Sequence, residues 1–178
     1  PTFSRFFAKV SRFWNAAEVR KVHNELTRRL YGTLPGFGEV VAIDSTDIKA
    51  WSHGKHRGCK TSDKDAGWCV KTNTEGNRKY VYGYKAHILC DTKYELPIAF
   101  DVTKGSVHDV KRAQALLAQA RYAYPRFNPK YVLADAGYSS DVLRRLISRH
   151  YHSIAVIDPN PSHKKAIARE LKTPELKV

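Results

Sequence analysis

The chain has 178 residues, of which 31 are Lys or Arg and 17 are Asp or Glu, giving a net charge of +14. Apolar residues make up 42% and aromatics 11%, enough for a packed core, which excludes a disordered basic tail despite a pI near 9.8. The length suits one domain, and no apolar run approaches the ~18 residues that span a bilayer. The start lacks the pattern of a secretory leader, and three cysteines, Cys59, Cys69 and Cys90, do not make an extracellular disulfide framework. A cytoplasmic protein with no membrane partner is expected. The excess of positive charge points to a polyanion, nucleic acid before general solubility, and hence to a place at the nucleoid. A chain that opens on Pro1 and holds no Met reads as a piece of a longer one.

In chain order, Phe3, Phe6, Phe7, Val10, Phe13, Trp14, Ala17, Val22, Leu26 and Leu30 form a helical stripe, so residues 1–34 are expected to be an N-terminal helical segment. Gly32, Pro35, Gly36 and Gly38 then break the pattern. Val40 to Ile43 reads as a buried strand ending on Asp44, and Ser45-Thr46-Asp47 reads as a turn into a second strand, Ile48 to Trp51. Residues 52–78 are polar and Gly-bearing and read as an inserted basic loop. Strand character returns from Lys79 to Asp91 and from Leu96 to Val102, and His108 to Tyr122 has helical spacing. Tyr131 to Ala134 is another short strand ending on an acid, Asp135. Ser139 or Ser140 caps a helix to about Arg149, Ser153 to Ile157 is a last strand, and Ser162 to Leu171 reads as a basic helix. Antiparallel strands followed by β-α-β crossovers suit an α/β, ribonuclease-H-like mixed sheet with helices on both faces, built from residues 39–178.

Asp44 and Asp135 each end a buried apolar run. Neighbouring strands would bring the two carboxylates together, and their repulsion then calls for a cation. Oxygen-only ligands favour Mg²⁺ or Mn²⁺, and paired ions of that kind serve phosphoryl transfer. The alternative is that each Asp caps a turn or pairs with an Arg.

The segments AIDSTDIKA, YVYGYKAHILCDTKYELPIAFDVTKGSVHD and YVLADAGYSS, in this order, resemble the catalytic core of insertion-sequence transposases of the DDE class. The elements that carry the resemblance are Asp44-Ser45-Thr46, Gly83-Tyr84-Lys85-Ala86-His87, Pro97, His108-Asp109 and Asp135-Ala136-Gly137-Tyr138, within about residues 39–157. The resemblance implies metal-dependent DNA strand cleavage and strand transfer, with Asp44 and Asp135 as catalytic ligands of two Mg²⁺ or Mn²⁺ ions. It implies DNA, both element ends and target, as partner, and a homodimer as the working assembly. The family's third acid, a late Glu in a Tyr-x2-Arg-x3-Glu pattern, is missing. The expectation is a core truncated at its C-terminus, with Glu170 as a substitute in second place. Two other readings stand beside the active transposase: a catalytically silent, transposase-derived DNA-binding protein, and a ribonuclease-H-type nuclease without strand transfer.

In the inserted loop, His53, His56, Cys59 and Cys69 have the composition of a zinc knuckle but the spacing of no standard finger. The other reading of the loop is phosphate contact through Lys55, His56, Arg57, Lys60, Lys64 and Lys71, with Trp51 and Trp68 free to stack. Lys85 and His87 share a strand face with Gly83, either for phosphate contact through Lys85 or as a solvated face. The opposite face, with Tyr80, Tyr82 and Tyr84, reads as sheet packing, and Cys90 as a small core residue. His108-Asp109 reads as a helix N-terminus with Asp109 favoured by the dipole.

Overall fold

The computed structural model describes residues 5, 8, 16–52, 63–72 and 77–159. Helix α1 (Ala16–Thr33) precedes strand β1 (Val40–Lys49), the hairpin-like trio β2 (Gly67–Thr72), β3 (Arg78–Asp91) and β4 (Pro97–Lys104), and helix α2 (Asp109–Ala123). Strand β5 (Tyr131–Ala134), a 3₁₀ turn (Ala136–Tyr138), helix α3 (Asp141–Tyr151) and strand β6 (Ile154–Ile157) complete the described chain. The six strands form one mixed sheet in the order β2-β3-β1-β5-β6, with β4 also paired to β3. β3 runs antiparallel to β1, β2 and β4, whereas β1, β5 and β6 are parallel. An antiparallel meander joined to parallel crossovers is the ribonuclease-H-like arrangement expected from the element order.

Burial alternates along β1, and Val41 and Ile43 point to the helix side. There they meet Leu89 of β3, Val132 of β5, Leu116 and Leu117 of α2, and Leu143 and Ile147 of α3, all less than 4% exposed. Tyr31 ties α1 to this core by stacking on Tyr124 with ring centroids 4.0 Å apart. Helices α2 and α3 cover this face, and α1 packs at the β4 edge, where His23 meets the Phe100 ring with centroids 4.9 Å apart. On the other face Ala42, Ile88 and Leu133 are only half buried, and Ile48, Tyr131, Ile154 and Val156 are exposed. We call this the open face.

Several expectations are corrected. Ser45-Thr46-Asp47 makes no turn: β1 is continuous because these residues pair with His87, Ala86 and Lys85 of β3. Long-range pairing overrides a local turn preference there. Residues 52–78 are not wholly loop, since β2 lies among them. Helix α3 runs on to Tyr151, and Ser140 occupies its cap position without a side-chain bond. Cys90 is half buried on the open face rather than in the core. The strands at 79–91, 96–102, 131–134 and 153–157 and the helix at 108–122 lie within a few residues of their expected places. The basic helix expected at 162–171 and most of the segment before Ala16 lie outside the described residues.

The clearest correction concerns Lys85 and His87. They lie on the helix side of β3, 6% and 0% exposed, because α2 covers them. They are not a solvated face. The His87 Nε2 lies within hydrogen-bond distance, 2.9 Å, of the Thr103 hydroxyl of β4. The opposite nitrogen faces Asp109, 3.5 Å away. At the end of the same row Asp91, 1% exposed, accepts three main-chain N–H bonds, from Gly38, Lys93 and Tyr94, at 2.7–3.0 Å.

Gly83 marks where β1 leaves the sheet. A Cβ there would overlap the Ile48 carbonyl oxygen and come within 2.7 Å of the Ala50 nitrogen. That amide donates to the Tyr82 carbonyl at 2.9 Å. Gly83→Ala is therefore expected to cost about 1–3 kcal/mol, by the usual penalty of overpacking, read as a lowered melting temperature. An unchanged melt would show that the end of β1 moves freely.

A second prediction concerns pH. Burial depresses the pKa of His87 below 6.5; Asp109 and Asp101 oppose the shift, and Lys85 and Arg112 reinforce it. As pH falls through 6.5 the unfolded chain takes up a proton that the folded chain does not, so stability is complete above that pH and declines below it. His23, also depressed chiefly by burial, acts in the same direction. Melting temperature against pH should thus fall below pH 6.5 in the wild type and fall less steeply in His87→Gln; identical slopes would refute this.

Candidate active site

The site is built by the parallel step from β1 to β5. The two strands pair through Val40↔Tyr131 to Ile43↔Ala134, and the next residue on each is an aspartate, Asp44 and Asp135. At the start of this pairing, the Glu39 carbonyl accepts from Lys130 N at 2.7 Å and its carboxylate pairs with Lys130 Nζ at 2.7 Å. Alternation puts Asp44 on the open face, next to Cys90, whose thiol is pushed up by burial first and then by Asp44 and Asp91.

Both carboxylates are exposed, and each has one oxygen held by a nearby main-chain N–H. Ser45 N donates to Asp44 Oδ1 at 2.7 Å, and Gly137 N donates to Asp135 Oδ1 at 3.0 Å. A Cβ on Gly137 would stand 3.1 Å from that Asp135 oxygen, so glycine leaves the carboxylate room. Neither acid has an ion pair among the described residues. Two uncompensated carboxylates, oxygen donors only, match a hard divalent cation better than zinc. The described residues contain no metal-sized cluster of three or more His, Cys, Asp or Glu side chains. Glu170 lies outside them.

Behind the pair, on the helix side, is a charged layer that the motifs did not reveal. Ser45 Oγ donates to Asp109 Oδ1 at 3.1 Å, and Lys85 Nζ lies 3.0 Å from Asp109 Oδ1 and 3.3 Å from Oδ2. Asp109 stands in the first turn of α2, as expected, but its carboxylate serves this layer as well as the helix dipole. Tyr138, 1% exposed, closes the layer from the turn after β5. Burial raises its pKa, with a smaller opposing contribution from Ser45 and further upward contributions from Asp109, Asp44 and Asp135. That phenol therefore feels all three carboxylates. Its hydroxyl faces Ser45 but makes no hydrogen bond of good geometry. The signal for this layer was present in β3, where Lys85 and His87 share parity with Leu89 and Asp91.

The expected phosphate contacts fare differently. Lys55, Arg57 and Lys60, with His53, His56 and Cys59, lie outside the described residues. Lys64 is exposed. Lys71 is half exposed and pairs with Asp47 at 2.8 Å. Burial pushes the Asp47 carboxyl up, but Lys71, Cys69 and Lys85 outweigh it and hold it below the ordinary value. Lys85 is turned inward to Asp109, so its ammonium is engaged with a carboxylate rather than presented to a phosphate. Trp51 is fully exposed and Trp68 is partly so, 5.2 Å from the Tyr82 ring. The Tyr82 and Tyr84 hydroxyls donate to Asp63 at 2.7 Å, so they hold a turn against the sheet. A groove of about 760 Å³ lies there, lined by Ile48, Trp51, Tyr84, Lys49, Lys64, Asp63 and Asp65 among others. It is away from the carboxylates, and its two lysines are matched by two aspartates.

No curated protein matches the chain. Among solved structures it is similar to a piggyBac transposase synaptic complex with hairpin DNA, at 14% identity and a TM-score of 0.44, over 79% of this chain and 27% of that one. It is similar to a Mos1 mariner paired-end complex with Mn, at 15% identity and a TM-score of 0.40, over 89% of this chain and 49% of that one. The catalytic domain of Mos1 mariner transposase is matched at 14% identity and a TM-score of 0.39, over 89% of this chain and 71% of that one. The chain thus spans about a quarter to a half of the length of the first two. Independently of these likenesses, residues 35–175 match the Transposase DDE domain family, a stretch that takes in both strand-end aspartates, and the chain belongs to that family.

Proposed function

We propose that this chain is the catalytic part of an insertion-sequence transposase, cutting DNA at element ends and joining the freed 3′ hydroxyl to a target. The observation that carries this reading is the parallel register of β1 and β5, which ends at Ile43↔Ala134 and is followed on each strand by an aspartate, Asp44 and Asp135, in a chain of the Transposase DDE domain family. Asp44 and Asp135 would hold divalent cations, Mg²⁺ or Mn²⁺. Such ions, when bound, supply activation of the attacking oxygen and stabilisation of the leaving one. The protein's own part is positioning. Ser45 N and Gly137 N each hold one carboxylate oxygen, so the other oxygen of each acid remains for a ligand. The half-exposed sheet surface running from Asp44 along Thr46 and Ile48 gives a nucleic-acid strand a path to the acids. Lys64 and Lys71, with Lys55, Arg57 and Lys60 of the same basic segment, are the proposed phosphate contacts.

Three experiments test this. With a net charge of +14, affinity for duplex DNA should fall steeply between low and moderate salt as counterion release is lost. Salt-independent affinity would remove the nucleic-acid reading. The chain should also bind Mn²⁺, and Asp44→Asn and Asp135→Asn should each weaken that binding about tenfold or more without unfolding the protein. Binding unchanged in both variants would make the two carboxylates structural. Joining of a supplied 3′-hydroxyl end to plasmid DNA then separates a transposase from a nuclease that only hydrolyses.

A further inference from the structure

We propose that Ser45, Asp109 and Lys85 form a positioning network that sets the Asp44 carboxylate for cation binding; the inference rests on the metal reading above. Asp44 and Ser45 are consecutive on β1, so they point to opposite faces of the sheet. Whatever holds Ser45 on the helix side therefore holds the peptide whose N–H, 2.7 Å from Asp44 Oδ1, orients the carboxylate on the open side. The Ser45 side chain donates to Asp109 at 3.1 Å. Asp109 is in turn fixed from two directions, by its place in the first turn of α2 and by the Lys85 ammonium 3.0 Å away. Lys85 has little freedom to leave, being 6% exposed beneath α2. The chain of contacts from Lys85 through Asp109 and Ser45 to Asp44 is continuous, and every link in it is polar.

Asp109 itself is not a ligand in this arrangement. Its carboxylate is already occupied by a cation, and it reaches β1 through Ser45, which faces away from Asp44. Partners that orient metal ligands from outside commonly govern affinity by 10–100-fold, roughly the range expected here. A plain helix anchor would use the same contacts but leave cation affinity untouched, and this difference makes the assignment testable.

The probe is Mn²⁺ alone, titrated into the chain and its variants and followed by water proton relaxation, with melting temperature recorded in metal-free buffer. Ser45→Ala changes no charge, so it removes the link without altering the field at the site. It should raise the Mn²⁺ Kd about tenfold, and Ser45→Thr, which keeps the hydroxyl, should restore it. Asp109→Asn should weaken binding to a similar degree. Asp101→Asn removes a carboxylate of β4 that pairs with Arg112 at 3.3 Å instead, and it should leave the Kd unchanged. Lys85→Met separates position from charge. Loss of a positive charge by itself would tighten Mn²⁺, whereas loss of position weakens it. Should that variant fail to fold, Ser45→Ala still decides. If Ser45→Ala and Asp109→Asn bind within about twofold of wild type while Asp44→Asn loses binding, the network is only a helix anchor and the proposal fails with the metal reading intact. If wild type does not bind Mn²⁺, or Asp44→Asn binds as well as wild type, the metal reading fails and this inference falls with it.

Discussion

The parallel pairing of β1 with β5 is the constraint on which the rest of the molecule turns. Each strand is an apolar run that buries Val41, Ile43 and Val132 against the helices. The hydrophobic effect sets their register, because a shift of one residue would expose these side chains and bury their neighbours. The aspartates that follow contribute nothing to that burial. They are carried to the ends of neighbouring strands by the apolar residues before them, and both are exposed, where water screens their charge. A stable core thus delivers a locally unfavourable pair of charges to the surface.

The helix side of the sheet solves a different problem. A lysine, a histidine and two aspartates lie on or against β3 there. Taking charges out of water is costly, and replacing a buried ion pair by well-packed hydrophobic residues is often neutral or stabilising by about 1–4 kcal/mol. The Lys85–Asp109 pair is therefore an expensive element to keep in a domain of this size, and a hydrophobic pair could have taken its place at lower cost. Its position directly behind Ser45 gives it something to do that a leucine could not, since only a charged or polar partner can orient a hydroxyl.

Much of this was legible in the chain. An apolar run that stops on an acid is readable twice, at Ile43-Asp44 and Ala134-Asp135, and the strand-helix-strand order that follows gave the parallel half of the sheet. What was not legible was decided by contacts between distant residues. Both faces of β3 carry side chains that a core could accept. The tyrosines at 80, 82 and 84 look more suited to packing than Lys85 and His87 do. The outcome depended on where α2 lands, which no local pattern records. Ser45-Thr46-Asp47 has turn composition, yet it pairs along its length with residues about 40 positions later, as the propensities of a partly buried strand allow. Asp109 was visible as a helix-start residue, but its reach to β1 was not.

The alternation along β1 has a consequence for how this chain can change over evolutionary time. One strand presents Asp44 to one side and Ser45 to the other, and the same strand is hydrogen-bonded on both edges, to β3 and to β5. Deleting or inserting a single residue upstream of Asp44 within the strand would exchange the two sides at once, turning the acid toward the helices and the hydroxyl toward solvent. Point substitutions at the exposed positions of β1 leave that geometry intact. The strand can therefore drift in sequence but not in length, and a length change here would separate a related domain that keeps the fold from one that keeps the site.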